Sequence, residues 1–273
     1  MKLLRWVIGG ACAAALLFLA TPFALPYFIF RPEPLPQGNN GRPPSGAEAV
    51  EFPARDGSRL TAWWVRPNGR AMLLILHGRS GNVATRKDIV GQLAEQGFGV
   101  LAVDYRGYGA SEGYPSEAGF LEDAETAYSW LITHGVKPSQ IVIVGQSLGN
   151  SAAIRLASHR PVAAVALISP FTSLPEAAAI KYRWLPTSTA LWWRNRFEVQ
   201  DYVAEFQRPL FLAVARHDEL IARSNALAVV SSAQKATLVE SEGPHDGMLR
   251  RMVEDGALQH FTAEVVRREG PPG

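Results

Sequence analysis

Residues 141–153 read I-V-I-V-G-Q-S-L-G-N-S-A-A, and this stretch decides the architecture. Four consecutive branched apolar residues suit a strand buried on both faces. The small residues that follow suit a helix. Between them, residues 145–149 spell G-x-S-x-G, and a strand before with a helix after is the nucleophile-elbow pattern. The flanking glycines admit a turn too tight for larger side chains. That turn lifts the Ser147 hydroxyl above the sheet at a helix N-terminus, where developing negative charge is favoured. The plain alternative is a strand-to-helix turn rich in small residues; the setting favours Ser147 as a nucleophile.

The same grammar runs through the rest of the chain. Apolar runs at residues 71–76, 100–103, 162–168 and 210–215 predict buried strands, with a last one at 237–240. Residues 85–96 predict a helix stopped by Gly97, and residues 116–134 a long one with Ser116 as its N-cap. Ahead of these, residues 49–54 and 60–66 form two extended runs around R-D-G-S, a hairpin signal. Strands alternating with helices imply an α/β domain: a mainly parallel sheet with helices on both faces and the hairpin at an edge. In such sheets ligands bind where the strands end.

A serine hydroxyl needs a base to take its proton. Of six histidines, His245 in E-S-E-G-P-H-D-G-M follows the last strand in a glycine and proline loop. It is the preferred base, with His260 second. His134 and His159 end helices, His217 adjoins Asp218, and His77 reads as structural. The chain order Ser, acid, His places the acid after the strand at 210–215. Asp218 stands there with Glu219 beside it, and Asp218 is preferred; Asp246 reads as a helix cap. The acid would hold the imidazole tautomer and stabilise the imidazolium. The oxyanion needs aimed backbone donors, assigned to the N–H groups of Leu148 and of Arg79 in the loop after residue 76.

Apolar types make up 47% of the 273 residues and charged types 19%, so the chain can bury a sizeable core. A formal charge of +2, with 27 basic and 25 acidic residues interspersed, gives no basis for nucleic-acid binding. The lone cysteine, Cys12, excludes an intrachain disulfide and a zinc site of Cys-pair type. No metal or cofactor is expected: no feature supports a metal-dependent role, and G-Y-G-A-S-E-G lacks the spacing of a dinucleotide fingerprint.

Residues 6–30 carry no charged side chain, are mostly apolar, and follow Lys2 and Arg5. A run of this length predicts a membrane-spanning helix. Cleavage after Ala20 or Ala24 would place Phe18 or Pro22 where a small residue is needed, so an uncleaved anchor over residues 1–30 is expected. The basic residues tilt towards a single-pass protein with its main domain outside the cytoplasm. Residues 31–46, rich in proline and glycine, read as a linker, leaving 47–270 as the domain.

L-H-G-R-S-G-N at 76–82 resembles the H-G-N-A-G-N loop of the membrane-anchored, lidless α/β hydrolases. D-Y-R-G-Y-G-A-S-E-G at 104–113, G-Q-S-L-G, and S-P-F-T-S-L at 169–174 continue the match in order, from about residue 47 to 265. The chain departs from that pattern with Arg79 and Ser80 in the first loop, Ala215 and Arg216 before the acid, and a tighter G-P-H at the base. The resemblance implies an α/β-hydrolase fold with a minimal cap. Relatives include thioesterases that remove palmitoyl groups from proteins and lipases acting on monoacylglycerols or lysophospholipids. Similar chains are grouped as serine aminopeptidases, a family label more than an activity.

The expected function is therefore a serine hydrolase cleaving acyl esters or thioesters of small molecules or lipids through an acyl-enzyme. The rivals are a peptidase or amidase of the same fold, and a membrane-tethered binding protein without turnover. Trp184, Leu185, Leu191, Trp192, Trp193 and Phe197 sit in the one excursion long enough for a small cap, and suit either an acyl groove or core packing.

Overall fold

The computed structural model describes residues 28–69, 71–183 and 194–269, together with Trp6, Gly9, Gly10, Pro26 and Trp192. Strands β1 (Glu48–Pro53), β2 (Arg59–Val65), β3 (Met72–Leu76), β4 (Gly99–Asp104), β5 (Ile141–Gln146), β6 (Ala164–Ile168), β7 (Leu210–Ala215) and β8 (Ala236–Ser241) form an eight-stranded sheet. Their spatial order is β8-β7-β6-β5-β3-β4-β2-β1. β1 and β2 pair antiparallel across the predicted turn, and β2 pairs antiparallel with β4. All other neighbours are parallel.

Every residue of β3 through β7 is buried, as continuous apolar runs require when both faces are covered. Alternation along the pleat divides them. Leu74, Leu76, Val103, Ile143 and Leu167 face one apolar cluster, with α2 (Glu117–Thr133) and α3 (Gly149–His159). Leu73, Ile75, Val142, Val144 and Phe211 face another, with α1 (Lys87–Glu95), α7 (Met248–Glu254) and α8 (Ala257–Glu269). Ser116 caps α2 as expected, its hydroxyl oxygen accepting from the Gly119 N–H at 3.0 Å.

Between β6 and β7 the chain forms α4 (Leu174–Lys181) and α5 (Gln200–Glu205), and α6 (Arg223–Ser232) follows β7. Trp192 and Phe197 are buried, so for these two the core-packing reading holds. Trp184, Leu185, Leu191 and Trp193 lie outside the described residues.

The N-terminal expectation requires correction. Among the described residues no helix is long and apolar enough to cross a membrane, so a single-pass membrane protein is not supported. Most of residues 1–30 lies outside the described residues. Ile29 and Phe30, counted as the end of the anchor, are buried in the domain core. The Phe30 ring lies 5.3 Å from that of Phe120 and 6.0 Å from that of Phe197. Burying such a ring is worth about 2 kcal/mol, and here protein provides the apolar surroundings. Within the stretch read as a linker, Arg31 and Pro32 pair in parallel with Ser80 and Gly81.

Candidate active site

Ser147 follows β5 with φ at +51°, a conformation costly for any residue but glycine. The elbow closes because its neighbours lack side chains. A Cβ on Gly149 would stand 2.1 Å from the Leu76 carbonyl oxygen, and one on Gly145 would stand 2.8 Å from the Ala153 Cβ. Strain of this kind persists only where the surroundings over-determine it. The Ser147 N–H donates to the Ile168 carbonyl at 3.0 Å. The buried Asn150 amide donates to the same carbonyl at 3.0 Å and to that of Ser169 at 3.3 Å, and its oxygen accepts from the Ile168 N–H at 3.2 Å. The end of β6 is thereby laced to the elbow.

The loops after β7 and β8 bring the other two preferred residues to the serine. His245 Nε2 lies 2.8 Å from Ser147 Oγ, and its Nδ1 lies 2.7 Å from Asp218 Oδ2. A carboxylate can only accept. The ring proton therefore sits on Nδ1, and Nε2 is left to accept the serine O–H. The side chains of His245 and Asp218 are 2% and 4% exposed, so water does not screen the pair. Burial pushes the Asp218 carboxyl up. The His245 ring and the N–H groups of Ile221 and Leu220, at 2.7 and 2.8 Å, outweigh it and hold the carboxyl below its ordinary value.

Glu219, the second choice for the acid, has another place: its carboxylate accepts the His245 backbone N–H at 2.9 Å. Gln146, the first variable position of the elbow, donates to the Asp246 carbonyl at 3.1 Å and accepts from Arg86 Nη2 at 3.3 Å. Sequence reasoning missed both roles, and that of Asn150. Their position beside a catalytic candidate in the chain is the one signal that could have suggested them. The remaining histidines are occupied elsewhere. His134 stacks on Trp130, His159 contacts Glu125, His217 contacts Glu242, and His260 is exposed on α8.

The loop at 77–82 lies against Ser147: a Cβ on Gly78 would be 3.1 Å from that of Ser147. His77 Nδ1 donates to the Gly78 carbonyl at 2.8 Å. That carbonyl shares a planar trans peptide with the Arg79 N–H, so fixing one aims the other. Among the described residues neither the Arg79 nor the Leu148 N–H donates to a protein acceptor. Burial, then the Arg86 charge, lowers His77 to about 3, with the Gly78 carbonyl opposing. The ring is therefore neutral at physiological pH. Its Nε2 is 3.7 Å from Asp104 Oδ1, beyond hydrogen-bond reach. Burial raises Asp104 to about 7, against the Val83 N–H and Arg86. Among the described residues no cluster of three or more His, Cys, Asp or Glu could hold a metal.

A family profile described as "Serine aminopeptidase, S33" matches residues 67–225. An uncharacterized protein of Mycobacterium tuberculosis is 31% identical over 240 residues, covering 85% of this chain and 84% of that protein. The human alpha/beta hydrolase domain-containing protein 17B is 29% identical over 217 residues, covering 77% of this chain and 73% of its own. Among solved structures, a Pyrococcus furiosus esterase superposes with a TM-score of 0.67 at 21% identity, covering 88% of this chain and 98% of that one. At that identity the likeness speaks for the fold. The chain belongs to the α/β hydrolases, in the serine aminopeptidase S33 family, and is a hydrolase.

Proposed function

We propose that this hydrolase cleaves carboxylic esters or thioesters by acyl transfer to Ser147. The observation that carries the reading is the unbroken hydrogen-bonded chain from Ser147 Oγ through the His245 ring to Asp218, at 2.8 and 2.7 Å. In the first half-reaction Ser147 Oγ attacks the acyl carbon while His245 Nε2 takes its proton. Asp218, held as a carboxylate, stabilises the imidazolium. The negative charge on the tetrahedral oxygen falls to the N–H groups of Arg79 and Leu148. His245 then returns the proton to the leaving alcohol or thiol, leaving an acyl-serine. Water enters by the reverse sequence and releases the acid.

An apolar acyl group is the favoured substrate feature. Ile180 and Tyr182, near the end of α4, remain 46% and 49% exposed. An exposed apolar surface on and just after α4, the helix that follows β6, suits a fatty chain better than a charged amine terminus. Hydrolysis of p-nitrophenyl esters from acetyl to dodecanoyl tests this. We expect kcat/KM to rise with chain length and Ser147→Ala to abolish turnover. Equal or better turnover of the acetyl ester contradicts the acyl-chain reading, and comparable turnover of an aminoacyl anilide moves the assignment to a peptidase.

A further inference from the structure

The loop that carries the Arg79 N–H runs between Gly78 and Gly81, two residues that lose the most conformational freedom on ordering. Its shape therefore depends on bonds from outside. The Arg79 carbonyl is held by two donors, the Tyr108 O–H at 2.7 Å and the backbone N–H of Arg31 at 2.9 Å. The second comes from the chain ahead of the sheet. That segment is fastened along its length. The Asn82 amide donates to the carbonyls of Glu33 at 3.1 Å and Pro34 at 3.0 Å. The Gly109 N–H donates to Glu33 at 2.9 Å, and the Leu35 N–H to Gly109 at 3.4 Å. At its start Ile29 and Phe30 are buried.

These contacts bear on the geometry of one residue. The Arg79 N–H lies in the peptide plane before its Cα, and its carbonyl lies in the plane after it. His77 fixes the first plane through the Gly78 carbonyl, and Arg31 and Tyr108 fix the second. With both planes held, the N–H has one direction. We propose that residues 29–35 are a positioning arm for the oxyanion loop, with the Arg31 N–H and the Asn82 amide as its two fastenings. The inference rests on the esterase reading, because the aim of this N–H matters only where an oxyanion forms.

The test uses the full chain with p-nitrophenyl butyrate, and kcat is normalised to sites titrated by a fluorophosphonate. Arg31→Pro removes the arm's donor to Arg79. Asn82→Asp keeps the oxygen that accepts the Ala84 N–H at 2.9 Å, but replaces the donor to Glu33 and Pro34 with a repelling oxygen. Tyr108→Phe removes the second donor to Arg79. We expect Arg31→Pro and Asn82→Asp to lower kcat per titrated site by about tenfold or more, with KM within about twofold. Affinity for an alkylboronic acid should fall in parallel. Because Arg31 and Tyr108 share one carbonyl, the double variant should lose more than the product of the single losses.

A merely structural arm would lower the titratable fraction and leave kcat per site and boronate affinity unchanged, which overturns the inference. Asn82→Ser, a milder release of the arm, gives the same decision if Arg31→Pro does not fold. Wild-type protein that hydrolyses no ester refutes the esterase reading and the inference with it. Active wild type with unchanged arm variants refutes the inference alone.

Discussion

The backbone N–H of His245 donates to the Glu219 carboxylate at 2.9 Å, while the ring of the same histidine donates to Asp218, one residue earlier, at 2.7 Å. Two adjacent acids on the loop after β7 thus hold one histidine at two points, and they do different work. Asp218 faces an ionisable ring, which the proposed mechanism charges; Glu219 faces a peptide, which it does not. Asp218→Asn should lower kcat by about 10^3-fold to 10^4-fold. Glu219→Gln keeps an acceptor and should cost about tenfold at most. Steady-state kinetics on both variants decides between them, and a larger loss at Glu219 would reverse the assignment.

The buried pair Asp104 and His77 sets a pH signature. Burial raises Asp104 from 3.8 to about 7 and lowers His77 from 6.5 to about 3. The Asp104 contribution to stability is full below its unfolded value and is lost as pH rises through the folded one. The His77 contribution is full above its unfolded value and is lost as pH falls. Between roughly pH 4 and 6.5 the two slopes have opposite signs and cancel. Asp104→Asn should expose the histidine alone. Its unfolding free energy should climb with pH over that window, by up to about 1.4 kcal/mol per unit. Urea denaturation at several pH values reads the slope, and a flat profile in the variant would contradict the buried, neutral state of His77.

Gly149 tests the elbow. A Cβ there would meet the carbonyl oxygens of Leu76 at 2.1 Å and His77 at 2.6 Å, which are backbone and cannot swing away. Gly149→Ala should cost about 3 kcal/mol in urea unfolding, at the upper end of ordinary overpacking. A loss under about 0.5 kcal/mol would mean that the end of β3 yields more easily than its burial suggests.

How much of this could be read from the chain depends on which groups carry the contact. The apolar runs marked the strands from β3 to β7 because a strand buried on both faces must be apolar throughout. Ser147, Asp218 and His245 could be proposed together because side chains carry that chemistry, and the strand ends do bring them within hydrogen-bond distance. The division of labour between Asp218 and Glu219 was open in sequence, since both are carboxylates on one loop and only the fold says which meets a ring. The docking of residues 29–35 left no mark. Its bonds are mostly made by backbone groups, and a segment rich in proline and glycine looks the same whether it is tethered or packed. The apolar residues at 29 and 30 were legible as needing cover, but not as finding it against Phe120 and Phe197.

The central claim is that His245 activates Ser147, and one labelling experiment addresses it most directly. The full chain, Ser147→Ala and His245→Ala are exposed to a fluorophosphonate, and the adducts are counted by intact mass. The account predicts one adduct on the wild type, none on Ser147→Ala, and labelling slowed at least about a hundredfold in His245→Ala. Labelling at the wild-type rate in His245→Ala, or no adduct on the folded wild-type chain, would contradict it.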